Sequence, residues 1–230
     1  MKRTALILSL MILTFSCMKK DTFHSDLDNY LQDIESEFIE IPESRIEILR
    51  QLGDYVISAR NQEKQARLVF ICTHNSRRSQ FGQLWALTAA QFYGIQNIGT
   101  FSGGTGSSAF NPRAVAAIER AGFMVAKGEG KMDNPHYIIS SGEHLHSDPM
   151  FSKKYDDNVN PDTGFYAIMV CSDADEACPV VPGAEDRISL PYDDPKSFDD
   201  TDQEETKYDE RCRQIAREMF FAFRYVRTNM

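Results

Sequence analysis

The chain has 230 residues, enough for one well-cored domain with an appendage and too few for two large domains. Its 42% hydrophobic and 26% charged residues, with 13 glycines and 9 prolines, exclude a disordered or fibrous protein. The net charge of -9 excludes a broad nucleic-acid surface, so a small anionic ligand has to be caught locally.

Lys2 and Arg3 precede an apolar run from Ala5 to Phe15 that is too short to span a bilayer and suits the core of a signal peptide. Ser16 and Cys17 follow, and a small residue before a Cys at the end of such a run resembles a bacterial lipoprotein cleavage site. Residues 1–17 are therefore expected to be a lipoprotein-type signal peptide, with Cys17 lipidated and the mature protein exported and anchored facing the periplasm. Residues 18–66 read as an N-terminal helical extension: Ile46, Leu49, Leu52, Val56 and Ala59 form one stripe after Pro42. Nothing in this segment suggests chemistry, and it reads as tether and cover.

The core, residues 67–230, begins with the continuous apolar run Arg67–Ile71, which suits a strand buried on both faces. Phe81, Leu84, Trp85, Thr88 and Phe92 then recur at helical spacing, ending near Gly94. Ile98–Ser102 is a second strand, and Asn111-Pro112 caps and starts a helix that stops at Gly122. From about 127 to 164 the chain is polar and rich in Gly, Pro, Asn and Asp, and reads as an inserted flap holding Tyr137–Ile139 as a short strand. Phe165–Val170 and Arg187–Leu190 supply two more strands. Thr201-Asp-Gln-Glu204 reads as a capping box before a final helix whose core face is Tyr208, Cys212, Ile215, Met219, Phe223 and Val226. The alternation predicts an α/β fold: a doubly wound four-stranded parallel sheet with helices on both faces.

Directly after the first strand stands Cys72-Thr-His-Asn-Ser-Arg-Arg78-Ser79, with a helix starting at about Arg78. At the carboxyl end of a strand, loop amides and a helix N-terminus converge to seat a tetrahedral oxyanion. The same field, with Arg78, favours a thiolate at Cys72 and makes it a nucleophile. Arg78 is also suited to clamp two oxygens of the anion.

Phe70-Ile-Cys-Thr-His-Asn-Ser-Arg-Arg-Ser79 resembles the signature loop of the low-molecular-weight protein tyrosine phosphatases and of the thioredoxin-coupled arsenate reductases that share their fold. The resemblance runs from Arg67 to the C-terminus apart from the flap. It implies Cys72 as nucleophile, Arg78 as anion binder, and Asn75 and Ser79 as the residues that fix the loop and the thiolate. Thr73, His74, Ser76 and Arg77 complete the anion-binding loop, and His74 and Arg77 carry no role of their own. In Tyr192-Asp-Asp-Pro195 the Asp-Pro pair of the family's general acid falls on Asp194, not on Asp193.

Cys171-Ser-Asp-Ala-Asp-Glu-Ala-Cys178-Pro179 resembles the paired redox cysteines of the reductase branch. Reducing arsenate takes two electrons from the protein: Cys72 binds arsenic, Cys171 attacks the adduct, and Cys178 then attacks Cys171. The expected activity is arsenate reduction with a thioredoxin-like dithiol protein as partner and arsenite as product. The alternatives are a phosphatase acting on phosphate monoesters through a phosphocysteine, and a non-catalytic exported anion-binding or redox-sensing module. A structural disulfide is the competing reading of Cys171 and Cys178. No cofactor is implied, because the cysteines carry the electrons, and a monomer is expected. Cys212 reads as a buried core thiol, and His136, His144 and His146 lack the further ligands of a metal site.

Overall fold

The first apolar run forms strand β1, Ala66–Cys72, in which Leu68, Val69, Phe70 and Ile71 are fully buried, as a strand covered on both faces requires. The computed structural model describes residues 22–143 and 145–230, so the leader, Cys17 and His144 lie outside the described residues. Helix α1 spans Ser25–Leu31 and α2 spans Glu43–Asn61, joined by a 3-10 turn at Ser36–Glu40. After β1 come α3 (Arg78–Tyr93), β2 (Ile98–Gly104) and α4 (Pro112–Arg120). Next are β3 (Met124–Lys131), β4 (Asn134–Gly142) and β5 (Leu145–His146). The chain ends with β6 (Phe165–Met169), α5 (Ser172–Ala177), β7 (Ala184–Ser189) and α6 (Glu204–Thr228).

The main sheet is parallel with strand order β2-β1-β6-β7. The chain leaves β1 toward β2 and then returns past β1 to β6, the strand order of the doubly wound arrangement expected. Gly94 takes a left-handed φ of 66° at the end of α3, and Asn111 accepts a hydrogen bond from Arg113 N at 2.9 Å to start α4. In α6 the whole expected face, Tyr208 to Val226, is buried against α3, α2 and α4.

Three expectations are revised. The flap is larger and more regular than its polarity suggested: β3, β4 and β5 form an antiparallel sheet that begins at Met124. Its strand β3 is mostly exposed, so no buried face left an apolar alternation to read. The capping box does not form; α6 starts at Glu204 itself, whose carboxylate accepts from Asp200 N at 2.6 Å, while Thr201 Oγ1 donates to Phe198 O at 2.7 Å. Phe92 is 36% exposed and stacks with Phe23 over the edge of α3 instead of lying in the core.

Candidate active site

β1 ends on Cys72, at the carboxyl edge of the sheet and between β2 and β6, where the strand order reverses and such sheets bind ligands. The loop turns through a left-handed Asn75, φ 47°, a conformation Asn tolerates better than most residues. β2 passes close behind: a Cβ on Gly104 would lie 2.8 Å from both Asn75 N and Thr73 O, so only glycine lets the loop sit there.

Every loop carbonyl is engaged from outside the loop. Cys72 O accepts from Thr105 N at 3.0 Å, Thr73 O from Gly106 N at 2.8 Å, and Ser76 O from Asn111 N at 3.0 Å. His74 O accepts from Ser152 Oγ at 2.8 Å and Asn75 O from Gln80 Nε2 at 3.0 Å. Arg77 O takes Phe81 N in the first turn of α3, at 3.0 Å. The amides of Thr73 to Arg78, by contrast, have no acceptor among the described residues. A run of unclaimed N–H groups leading into a helix is a seat for an oxyanion.

The contact at Cys72 has a direction. Lys153 N donates to Asn75 Oδ1 at 2.9 Å, which turns the Asn75 amide nitrogen toward Ser79 Oγ at 2.8 Å. Ser79 Oγ thus accepts from Asn75, and its own proton is left for Cys72 Sγ, 3.1 Å away. Cys72 is 4% exposed. The side chain of Ser76 instead donates to Ala109 O, and His74 projects to solvent.

Both arginines of the loop reach Asp194. Arg78 donates from Nη1 to Tyr192 O at 2.9 Å and from Nη2 to Asp194 Oδ2 at 2.8 Å, and its buried Nε has no acceptor among the described residues. Arg77, given no role from the sequence, is buried and grips Asp194 with Nε to Oδ1 at 2.7 Å and Nη2 to Oδ2 at 3.2 Å. No local signal reveals this pair, because the partners are 117 residues apart. Asp194 also accepts from Lys196 N, at the head of the 3-10 turn Pro195–Phe198. Burial pushes the Asp194 carboxyl up, but the Arg77 hydrogen bond and the charges of Arg78 and Arg77 outweigh it and hold the group below its ordinary value. Asp193 faces solvent and pairs with Arg211.

Cys171 follows β6, is buried, and places Sγ 3.4 Å from Thr73 Oγ1, on the residue next to Cys72. Cys178 closes α5 at its other end and is partly exposed. Cys72, Cys171, Cys178 and Cys212 are all free thiols. Cys212 lies in the core, where it accepts from Trp85 Nε1 at 3.3 Å and burial pushes its thiol up to about 12. Among the described residues no His, Cys, Asp and Glu cluster is placed to hold a metal; the His136 ring stacks on Phe151.

The flap backs the loop, a role its sequence did not disclose. Phe151, Ser152 and Lys153 contact Gln80, His74 and Asn75 through the bonds above, and Gln80 Nε2 reaches Phe151 O at 2.9 Å.

No protein-family model matches the chain. An arsenate reductase of Bacillus licheniformis is 26% identical over 147 residues, 64% of this chain and 86% of its own length. Arsenate reductase 2 of Staphylococcus epidermidis is 26% identical over 132 residues, 56% of this chain and 77% of its own. Among solved structures, a low-molecular-weight protein tyrosine phosphatase from T. tengcongensis aligns with a TM-score of 0.46 at 13% identity, covering 68% of this chain and 96% of that one. A thioredoxin-dependent arsenate reductase from Corynebacterium glutamicum aligns with a TM-score of 0.37 at 18% identity, covering 82% and 81%. By sequence the chain is thus similar to bacterial arsenate reductases, in line with the resemblance of its Cys72 loop and Cys171–Cys178 segment.

Proposed function

We propose that this protein reduces arsenate to arsenite through a relay of Cys72, Cys171 and Cys178, recharged by a thioredoxin-like dithiol protein. The observation that carries the reading is the position of Cys171, a free buried thiol against the Cys72 loop with a second free thiol at the far end of one short helix. A phosphatase needs neither.

The loop amides and Arg78 hold three oxygens of arsenate, and the Cys72 sulfur attacks arsenic, forming an S–As bond as one oxygen leaves as water. Cys171 then attacks Cys72 Sγ. The S–As bond breaks, its electron pair stays on arsenic, arsenite leaves, and a Cys72–Cys171 disulfide remains. Cys178 attacks Cys171, which frees Cys72 and moves the disulfide to Cys171–Cys178, where the external dithiol reduces it and is itself oxidised. Asp194 supplies the proton for the departing oxygen. An anion on Arg78 draws a donor away from Asp194 and brings negative charge near it, and both changes raise the carboxyl's proton affinity when substrate is bound.

Digestion and mass spectrometry after arsenate treatment test the relay. Cys178→Ser should accumulate the Cys72–Cys171 disulfide after a single turnover, and Cys171→Ser should release no arsenite. Normal arsenite release from Cys171→Ser would exclude the relay. The lipoprotein leader belongs to the same proposal: in a bacterial host, Cys17→Ser should move the protein out of the membrane fraction. Unchanged partition would contradict lipid anchoring at that residue.

A further inference from the structure

The carbonyls of Pro191 and Tyr192 are held by two guanidiniums from different helices. Arg78 Nη1 donates to Tyr192 O at 2.9 Å from the start of α3. Arg45 Nη1 donates to Pro191 O at 3.0 Å from the first turns of α2, in the N-terminal extension. The remaining Arg45 donors form a fork on Glu218, Nε to Oε1 and Nη2 to Oε2, both at 2.8 Å. Glu218 lies on α6 with its side chain only 1% exposed, and it also accepts from Tyr192 OH at 2.7 Å and Gln214 Nε2 at 3.1 Å. The Arg45 guanidinium carbon stands 4.7 Å from the centre of the Tyr192 ring.

Glu218 is a carboxylate on the buried side of α6, beside Met219 and Ile215, where an apolar residue would pack at no electrostatic cost. The groups that meet there come from α2, α6 and the segment after β7. Their common effect is to fix the backbone at 191–192. That backbone is the same piece that orients Arg78 and, two residues on, carries Asp194.

We propose that Arg45 is a positioning residue of the anion site: through Pro191, Tyr192 and Glu218 the N-terminal extension sets the orientation of Arg78. The inference rests on the Cys72 loop being an oxyanion site and is indifferent to whether arsenate or a phosphate monoester is turned over.

The test uses the full chain and inorganic phosphate as probe, and it reads the protection of Cys72 from iodoacetamide peptide by peptide. Phosphate should protect Cys72 in the wild-type protein. Arg45→Met combined with Glu218→Gln removes both charges and leaves no lone buried carboxylate. This variant should need roughly tenfold more phosphate for the same protection. Cys212, buried beside Trp85, should stay unreactive in both proteins, which separates a shifted site from a loosened core. Arg45→Lys keeps a charge for Glu218 but not the planar fork that also reaches Pro191 O, and should fall between. Unchanged phosphate protection in the double variant with Cys212 still unreactive overturns the inference. If the double variant exposes Cys212, wild-type protection in Arg45→Lys overturns it. Absence of protection in the wild type overturns the oxyanion reading, and the inference with it.

Discussion

Asp194 sits between two guanidiniums, and the two are not equivalent. Arg78 gives Asp194 one hydrogen bond and is the arginine proposed to bind the anion, whereas Arg77 is committed to the carboxylate by two hydrogen bonds. Arg77→Met removes a depressing contact, so the Asp194 pKa should rise. In an aryl phosphate assay, where Asp194 must be protonated to act, the alkaline limb of kcat/KM should then move to higher pH. The same pair contributes to folding. A carboxyl with a depressed folded pKa stabilises above its unfolded pKa, and that stability is lost as pH falls through the folded value. Arg77→Met should therefore cost about 1–2 kcal/mol at neutral pH, with the difference from wild type shrinking under acid. An unmoved alkaline limb in the variant would remove Arg77 from the account.

At the scale of elements, the proposed relay requires α5 to move. Its six residues separate Cys171 from Cys178, and at about 1.5 Å of rise per residue the two are further apart than the roughly 7 Å that a disulfide spans between Cα atoms. The helix is tied down through Asp175, which accepts from Ser189 Oγ at 2.6 Å and pairs with Arg187, while Arg187 also donates to Pro179 O at 3.2 Å. These ties favour the dithiol form. Asp175→Ala should make the Cys171–Cys178 disulfide harder to reduce, lowering its potential by about 30 mV. Equilibration against glutathione measures it; an unchanged or higher potential would mean the ties survive oxidation. Elements with a buried face were legible in advance: β1 from its unbroken apolar run, α3 and α6 from their periodicity. The exposed strand β3 was not, and neither was the start of α6, where Glu204 is claimed by Arg113 from α4 as well as by Asp200 N.

Across the whole molecule, motifs written in contiguous residues were readable and most of the contacts assembled by folding were not. Cys72 to Ser79 and Cys171 to Cys178 are continuous stretches, so their order along strand, loop and helix points to a candidate site. The partners that orient them come from far away: Arg77 finds Asp194, Lys153 of the flap fixes Asn75, and Arg45 of the extension reaches Pro191. The net charge of -9 is compatible with the proposed site, because an anion seated on loop amides and one arginine needs no basic surface. Among the described residues no helix is long and apolar enough to cross a membrane. The most direct test of the central claim is arsenate-dependent turnover of the protein with thioredoxin and its reductase, run beside aryl phosphate hydrolysis. The account predicts sustained arsenite formation that Cys178→Ser abolishes. Aryl phosphate hydrolysis without arsenate turnover would contradict it and make the Cys72 loop that of a phosphatase.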